Sequence, residues 1–134
     1  MIPTTNLPPE HKKLAILLWA TTPERPELCS MPFVYAAVAA AMDCEVEVHF
    51  TGPSVRLLVD GVAAGIHPAQ ANKKSIYDLM RDAAEHGVRF LGCSMALREY
   101  LSPEETKIAE FSGTAGAATF IMRNLDPEWR VMIF

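Results

Sequence analysis

The chain has 134 residues, 50 % of them hydrophobic, and 16 acidic against 12 basic side chains give a net charge of −4. This length and apolar content predict one globular domain with its own core and exclude a disordered chain. The acidic balance argues against direct nucleic-acid binding.

Neither a membrane span nor a secretory signal is predicted. The longest apolar run, Phe33 to Met42, is too short to cross a bilayer. The N-terminal residues lack a cationic start followed by an apolar run. Three cysteines without a regular framework fit a reducing compartment. We therefore expect a cytoplasmic protein that does not associate with a membrane.

The first half of the chain predicts an extended arm over residues 1–11, followed by a single α/β domain over residues 12–134. A continuous apolar run predicts a strand buried on both faces, an alanine-rich stretch predicts a helix, and an alternating stretch predicts a second strand. In chain order these elements are the strand Lys13 to Trp19, a proline-rich loop Thr21 to Pro32, the helix Phe33 to Met42 and the strand Cys44 to Phe50.

The middle of the chain predicts a short helix Pro53 to Asp60, closed by Gly61, and then an irregular stretch Val62 to Lys74. Apolar residues at helical spacing predict a helix from Ser75 that stops at Gly87. A short buried strand, Val88 to Leu91, follows.

The last part of the chain opens with a helix-start pattern at Ser102, where Glu105 is placed for a capping box. A weak signal near Lys107 to Phe111 indicates a fifth strand. Ser112 to Gly116 is interpreted as a tight turn with close helix packing. The final elements are a helix from about Gly113 to Asn124 and a strand from Trp129 to Phe134.

Strands that alternate with helices predict a single three-layer α/β domain of flavodoxin-like type. Its five-stranded sheet is expected to be mostly parallel, with helices on both faces. In such sheets the first and third strands are usually neighbours. If they are neighbours here, the loop that carries Cys29 lies at the same edge as Cys93.

Several chemistries that use this kind of fold lack their motifs here. No G-x-G-x-x-G follows the first strand, and the sequence contains no Walker A motif and no Cys-x-x-Cys. Cysteines and histidines do not cluster at the short spacings of a zinc site. We therefore expect neither an organic cofactor nor a bound metal.

Cys93 is the strongest candidate for a functional residue. It stands where the strand ending at Leu91 passes through Gly92 into a helix that begins at Ser94. A thiol at such a junction lies near backbone N–H groups and the positive end of a helix, which favour the nucleophilic thiolate. This edge of an open α/β sheet is also where ligands bind.

Other side chains are accessory candidates around Cys93. Cys29 would face Cys93 as a second thiol if the two loops share an edge. His49 closes the second strand on the edge of Cys93 and is a candidate for proton transfer. His67 lies in the long irregular stretch, a common place for functional residues. Arg98 and Met95 follow Cys93 on its helix, as a positive neighbour and as packing beside the thiol.

These features together resemble the DsrE/DsrF-like family of sulfur-relay proteins, which includes the TusD-type subunits. The order and spacing of the segments carry the resemblance, and Cys93-Ser-Met95 is similar to the Cys-x-Met form of stand-alone members. The matching segments are Leu14 to Trp19, Val46 to Gly52, Leu79 to Cys93, and Ser112 to Ala117 with the helix and strand after it.

The resemblance implies a persulfide carrier, or sulfurtransferase, that needs no organic cofactor. Cys93 would take sulfane sulfur from a donor and pass it to the thiol of a partner protein. A TusA-like carrier or a rhodanese-type protein is the implied donor. A homotrimer or homohexamer is the implied assembly.

Two alternatives remain open from the sequence. One is a non-catalytic subunit of an α/β oligomer in which Cys93 is only a buried thiol. The other is a thiol–disulfide switch between Cys29 and Cys93, which requires that their Cα atoms come within about 7 Å.

Overall fold

The computed structural model describes residues 12–68 and 73–134, so the arm predicted for residues 1–11 lies outside the described residues. None of the helices in this described part is long and apolar enough to cross a membrane. The strands are β1 (Lys13–Leu18), β2 (Glu45–Phe50), β3 (Arg89–Gly92), β4 (Phe111–Thr114) and β5 (Trp129–Ile133). The α-helices are α1 (Ser30–Ala41), α2 (Ile76–Glu85), α3 (Ser94–Tyr100) and α4 (Ala117–Leu125), and short 3-10 segments span Pro26–Leu28, Gly52–Leu58 and Ala63–Gly65.

The five strands form one sheet in the order β4-β3-β2-β1-β5, and every neighbouring pair is parallel. This confirms the predicted α/β class with a five-stranded parallel sheet. The expectation that the first and third strands are neighbours is wrong, because β2 lies between them. From β1 to β4 each connection moves the chain one place along the sheet, and α4 then returns it to the far side of β1.

The two faces of β2 are buried against different helices. Val46, Val48 and Phe50 belong to the main core, together with residues of α1 and α2. The ring of Phe50 lies 6.1 Å from that of Phe33 in α1. On the opposite face, His49 contacts Phe120 of α4, with ring centroids 5.3 Å apart. The sheet therefore has helices on both faces, as the sequence predicts.

The helix predicted at Ser102 is wrong. The N–H of Ser102 does donate to Glu105 Oε1 at 2.9 Å, as half of a capping box would. However, Arg56 also donates to the two carboxylate oxygens of Glu105, at 2.6 and 2.8 Å. The N–H of Ile108 donates to Leu58 O. These contacts hold the segment along the Gly52–Leu58 turn, so no helix forms.

The observed boundary between the fourth strand along the chain and the last helix also differs from the predicted one. Phe111–Thr114 is a strand, and α4 begins at Ala117 rather than at Gly113. The β3–β4 register jumps from Phe111 to Gly113, and the hydroxyl of the skipped residue, Ser112, accepts the N–H of Phe90 at 3.0 Å. Gly113 has φ of 134°, which suits glycine at such a bulge. The glycine-rich segment is therefore an irregular edge strand, not only a turn.

A buried carboxylate holds α4 on the sheet. Glu47 is 1 % exposed and accepts two hydrogen bonds from Arg123 of α4, at 3.0 and 3.1 Å. The guanidinium of Arg123 also lies over the ring of Trp129, 4.5 Å from its centroid. Arg89 of β3 donates to the same carboxylate at 3.4 Å. Burial by itself would raise the pKa of Glu47, but the hydrogen bonds from Arg123 and His49 outweigh it and lower the pKa. Glu47 is therefore ionised at neutral pH.

Gly92, the last residue of β3, lies where little space is left for a side chain. Its φ does not lie in the left-handed region, so the turn into α3 does not depend on the conformational freedom of glycine. A Cβ atom at Gly92 would lie 3.1 Å from Leu97 Cδ1 and 3.3 Å from Leu58 Cδ1. These contacts place α3 close against the end of β3, directly beside Cys93.

We predict that Gly92→Ala lowers the free energy of unfolding by about 1 to 2 kcal/mol, because the added methyl group overpacks the contact with Leu97 and Leu58. The measurement is urea denaturation. Gly65→Ala is the matched control, since a Cβ atom there meets no atom within 4 Å. Equal stability of the two variants would show that α3 does not pack on β3 in this way.

We predict that Glu47→Gln lowers the free energy of unfolding by about 3 kcal/mol, because it leaves Arg123 without its buried counter-charge. Glu128→Gln is the matched control. It breaks the exposed pair with Lys13, whose Nζ–Oε2 distance is 3.2 Å, and is expected to leave the stability close to that of the wild type, because water screens exposed ion pairs. Similar losses in the two variants would contradict the structural role of Glu47.

Candidate functional site

Two backbone hydrogen bonds hold Cys93 in place between β3 and α3. Its N–H donates to Phe50 O of β2 at 2.9 Å, and its carbonyl accepts the N–H of Leu97 at 2.9 Å. It is the N-cap residue of α3 and is partly exposed. The thiol therefore lies at the strand-to-helix junction that the sequence predicts, at the carboxyl edge of the sheet, where ligands bind in open α/β folds.

The thiol opens onto a pocket of about 270 Å³. The pocket is lined by Cys93, His49 and Thr51, and otherwise by apolar residues from the carboxyl ends of β1 and β2, from the β4–α4 connection and from α4. These apolar residues include Leu17, Trp19, Phe50, Phe120 and Ile121. No Lys, Arg, Asp or Glu is among the described residues that line it. Any group that reacts with Cys93 inside this pocket does so in an apolar environment.

The strand register explains why His49 and Cys93 meet. His49 of β2 pairs with Leu91 of β3 in parallel register. Side chains alternate between the faces of a sheet, so Cys93, two residues after Leu91, continues on the face of His49. Both side chains accordingly line the same pocket beneath α4.

His49 is the buried polar group of this pocket. It is 3 % exposed, and its Nε2 lies 3.0 Å from Glu47 Oε1. Its Nδ1 is buried and has no hydrogen-bond partner among the described residues. Burial lowers the pKa of His49, although the Glu47 carboxylate opposes this effect. The ring is therefore neutral at pH 7.

Cys29 does not line the pocket. It is fully buried at the start of α1, and its Sγ donates to Thr22 O at 3.2 Å. Burial, assisted by the negative charge of Glu27, raises the pKa of the Cys29 thiol to about 11. The thiol is therefore protonated and poorly nucleophilic at neutral pH.

The remaining accessory candidates are spread around the site. Met95 is exposed on α3, two residues after Cys93. Arg98 is exposed on the same helix and lines a different hollow, together with Leu101 and Lys107. His67 is exposed after the Ala63–Gly65 turn. Neither Arg98 nor His67 lines the pocket of Cys93, so of the accessory candidates the structure brings His49 alone into that pocket.

Sequence reasoning missed Glu47 and Arg123. Glu47 did carry a signal, because an acidic residue between Val46 and Val48, in a strand expected to be covered on both faces, requires a buried partner. Arg123 carried none, since a basic residue near the end of a helix is ordinarily solvated. No group of three His, Cys, Asp or Glu side chains within residues 12–68 and 73–134 is arranged to hold a metal ion.

Comparison with solved structures identifies the fold. The ychN protein from E. coli superposes with a TM-score of 0.59 at 13 % identity, covering 92 % of this chain and 99 % of that one. BT1422 from Bacteroides thetaiotaomicron, described as a conserved protein of unknown function, gives a TM-score of 0.61 at 14 % identity, covering 96 % and 100 %. MTH1491 from Methanobacterium thermoautotrophicum gives 0.58 at 15 % identity, covering 91 % and 98 %.

Sequence comparison identifies the family. No curated protein matches the chain significantly. The model of the DsrE/DsrF-like family, in contrast, matches residues 12–127, which include all of β1 to α4. The protein therefore belongs to the DsrE/DsrF-like family.

Proposed function

We propose that the protein is a sulfur carrier, which holds sulfane sulfur as a persulfide on Cys93 and passes it to the thiol of a partner protein. The observation that carries this proposal is the partly exposed Cys93 thiol in an apolar pocket at the carboxyl edge of the sheet. Membership of a family that is generally related to sulfur relay supports it.

The proposed reaction is an exchange between sulfur atoms. A donor persulfide, R–S–SH, reacts with Cys93–SH to give R–SH and Cys93–S–SH. The S–S bond of the donor breaks, a new S–S bond forms at Cys93, and the electron pair leaves with the donor thiolate. Atoms and electrons balance without an external oxidant or reductant. Transfer to the acceptor repeats the exchange with the roles reversed.

The lining of the pocket favours a persulfide as the donor. An alkyl hydropersulfide carries at most one negative charge, so it enters an apolar pocket at a lower cost than an inorganic dianion such as thiosulfate, which loses its hydration without gaining a positively charged side chain as a partner. The absence of Lys and Arg from the described lining thus supports a donor such as a TusA-like carrier or a rhodanese-type protein that already holds a persulfide.

The surface around the pocket supports association with other protein chains. Trp19 and Ile121, which line the pocket, are both largely exposed, and Leu125 on the same helix is 76 % exposed. Met122 and Ile133 are exposed as well. Large apolar side chains grouped in this way are typical of protein interfaces. We therefore include a homo-oligomer, a trimer or hexamer, and protein sulfur donors and acceptors in the proposal.

We predict that the reduced protein gains the mass of one or more sulfur atoms after incubation with a hydropersulfide, and that the added sulfur maps to Cys93. Intact-mass and peptide mass spectrometry measure this. Cys29→Ala is the matched control, since its thiol is buried and is expected not to contribute. Cys93→Ala should abolish the gain. An equal gain in Cys93→Ala, or no gain in the wild type, would refute the carrier function.

We predict that thiosulfate loads Cys93 at least about 10²-fold more slowly than a small alkyl hydropersulfide, because the described lining supplies no positively charged side chain for a desolvated dianion. The initial rate of mass gain at equal donor concentrations measures this ratio. Comparable rates would contradict the role of the apolar lining in selecting the donor.

A further inference from the structure

We infer that His49 is a catalytic residue of this site: it accepts the proton of the Cys93 thiol at Nδ1 and returns it to the departing donor thiolate. This inference rests on the proposed sulfur transfer and adds to it the group that moves the proton. Its structural basis is the position of a buried imidazole, with one unpartnered nitrogen, in the same pocket as the thiol.

The hydrogen-bond network fixes which nitrogen of His49 carries the hydrogen. Arg123 donates to both oxygens of Glu47, and Arg89 donates to one of them. The carboxylate surrounded by these donors stays ionised and only accepts hydrogen bonds. Nε2, 3.0 Å from Glu47 Oε1, must then be the N–H donor. In a neutral ring this leaves Nδ1 with a free lone pair.

An unpartnered Nδ1 is costly in a buried ring. A buried acceptor without a hydrogen bond costs about 1–3 kcal/mol, so such groups are rare in folded proteins. Among the described residues that line the pocket with His49, Cys93 and Thr51 carry a side-chain S–H or O–H, and neither donates to Nδ1 in the structure. We assign Nδ1 to a sulfhydryl, because the sulfhydryl is the reacting group of the proposed transfer. Both the Cys93 thiol and the terminal S–H of a hydropersulfide can supply the hydrogen.

Burial is the main cause that lowers the pKa of His49 and keeps the ring neutral until it acts, and the charged groups around the ring act in both directions. Glu47 on β2 favours a proton on the ring, whereas Arg89 on β3 and Arg123 on α4 oppose it. The pocket residues that β1 and α4 place on this side of the sheet include the apolar Leu17 and Phe120, and Phe120 packs against the His49 ring. A neutral imidazole that is paired to a carboxylate can take up a proton during the reaction, since Glu47 then faces an imidazolium.

The Cys93 S–H gives its proton to Nδ1, and the resulting thiolate attacks the terminal sulfur of R–S–SH. The bond between the two donor sulfurs breaks, and its electron pair leaves on R–S⁻. The Nδ1–H of the imidazolium then donates its proton to R–S⁻, which yields R–SH and returns His49 to its starting form. No proton is taken from solvent in the complete transfer.

The test compares His49→Gln with His86→Gln in single-turnover loading by an alkyl hydropersulfide between pH 6 and 9. Glutamine keeps an N–H donor for Glu47 but is not a base. We expect His49→Gln to lower the loading rate at pH 7 by about 10²-fold, while the final extent of loading and the melting temperature remain close to those of the wild type. His86 is exposed and lies outside the pocket, so His86→Gln should match the wild type.

The outcomes separate this inference from the proposed function. If the wild-type protein gains no sulfur, the proposed carrier function itself is refuted. A wild type that loads, with His49→Gln showing the same rate and the same pH profile, would overturn the role of His49 and leave the carrier function intact.

A measurement on the wild-type protein covers the case in which His49→Gln does not fold. The ¹⁵N NMR shifts of the His49 ring should show an Nε2–H tautomer with an unprotonated Nδ1, and the Nδ1 signal should move when Cys93 is persulfidated. A hydrogen on Nδ1 in the resting protein, or an Nδ1 signal that does not respond to persulfidation, would overturn the inference.

Discussion

The buried carboxylate of Glu47 is the interaction on which the site depends. Two arginines, one on β3 and one on α4, compensate its charge, and the hydrogen bonds from Arg123 hold α4 over the end of β2. The same carboxylate fixes the tautomer of His49. One buried charge therefore positions both α4, which covers the pocket, and the imidazole of His49, which lines it. A charge buried this deeply remains stable only while its partners stay in place.

Much of this arrangement could be predicted from the sequence, because the signals are local. Apolar runs and alternation placed β1, β2 and β3, and the strand–Gly–Cys–helix pattern placed Cys93 at the edge of the sheet. The helix at Ser102 was predicted wrongly because its capping pattern is also local, whereas the contacts that prevent the helix, from Arg56 and Leu58, come from another part of the chain. The strands that neighbour β1 could not be predicted from local signals either, because the strand order depends on how the crossover connections between strands pack.

The two thiols at the edge of the sheet show how packing separates residues that look alike in sequence. Cys29 and Cys93 both follow strands at this edge. Cys29 is buried and donates to a backbone carbonyl, and burial raises the pKa of its thiol, whereas Cys93 opens onto a pocket beside an imidazole with an unused lone pair. This contrast favours Cys93 over Cys29 for the proposed sulfur chemistry and fits a packing role for Cys29.

The most direct test of the account is a high-resolution crystal structure of the protein after it has been loaded with sulfur. We expect an additional sulfur atom bonded to Cys93 Sγ, inside the pocket beneath α4 and within hydrogen-bonding distance of His49 Nδ1. Additional sulfur on Cys29, or a terminal sulfur on Cys93 that points away from His49 into solvent, would contradict it.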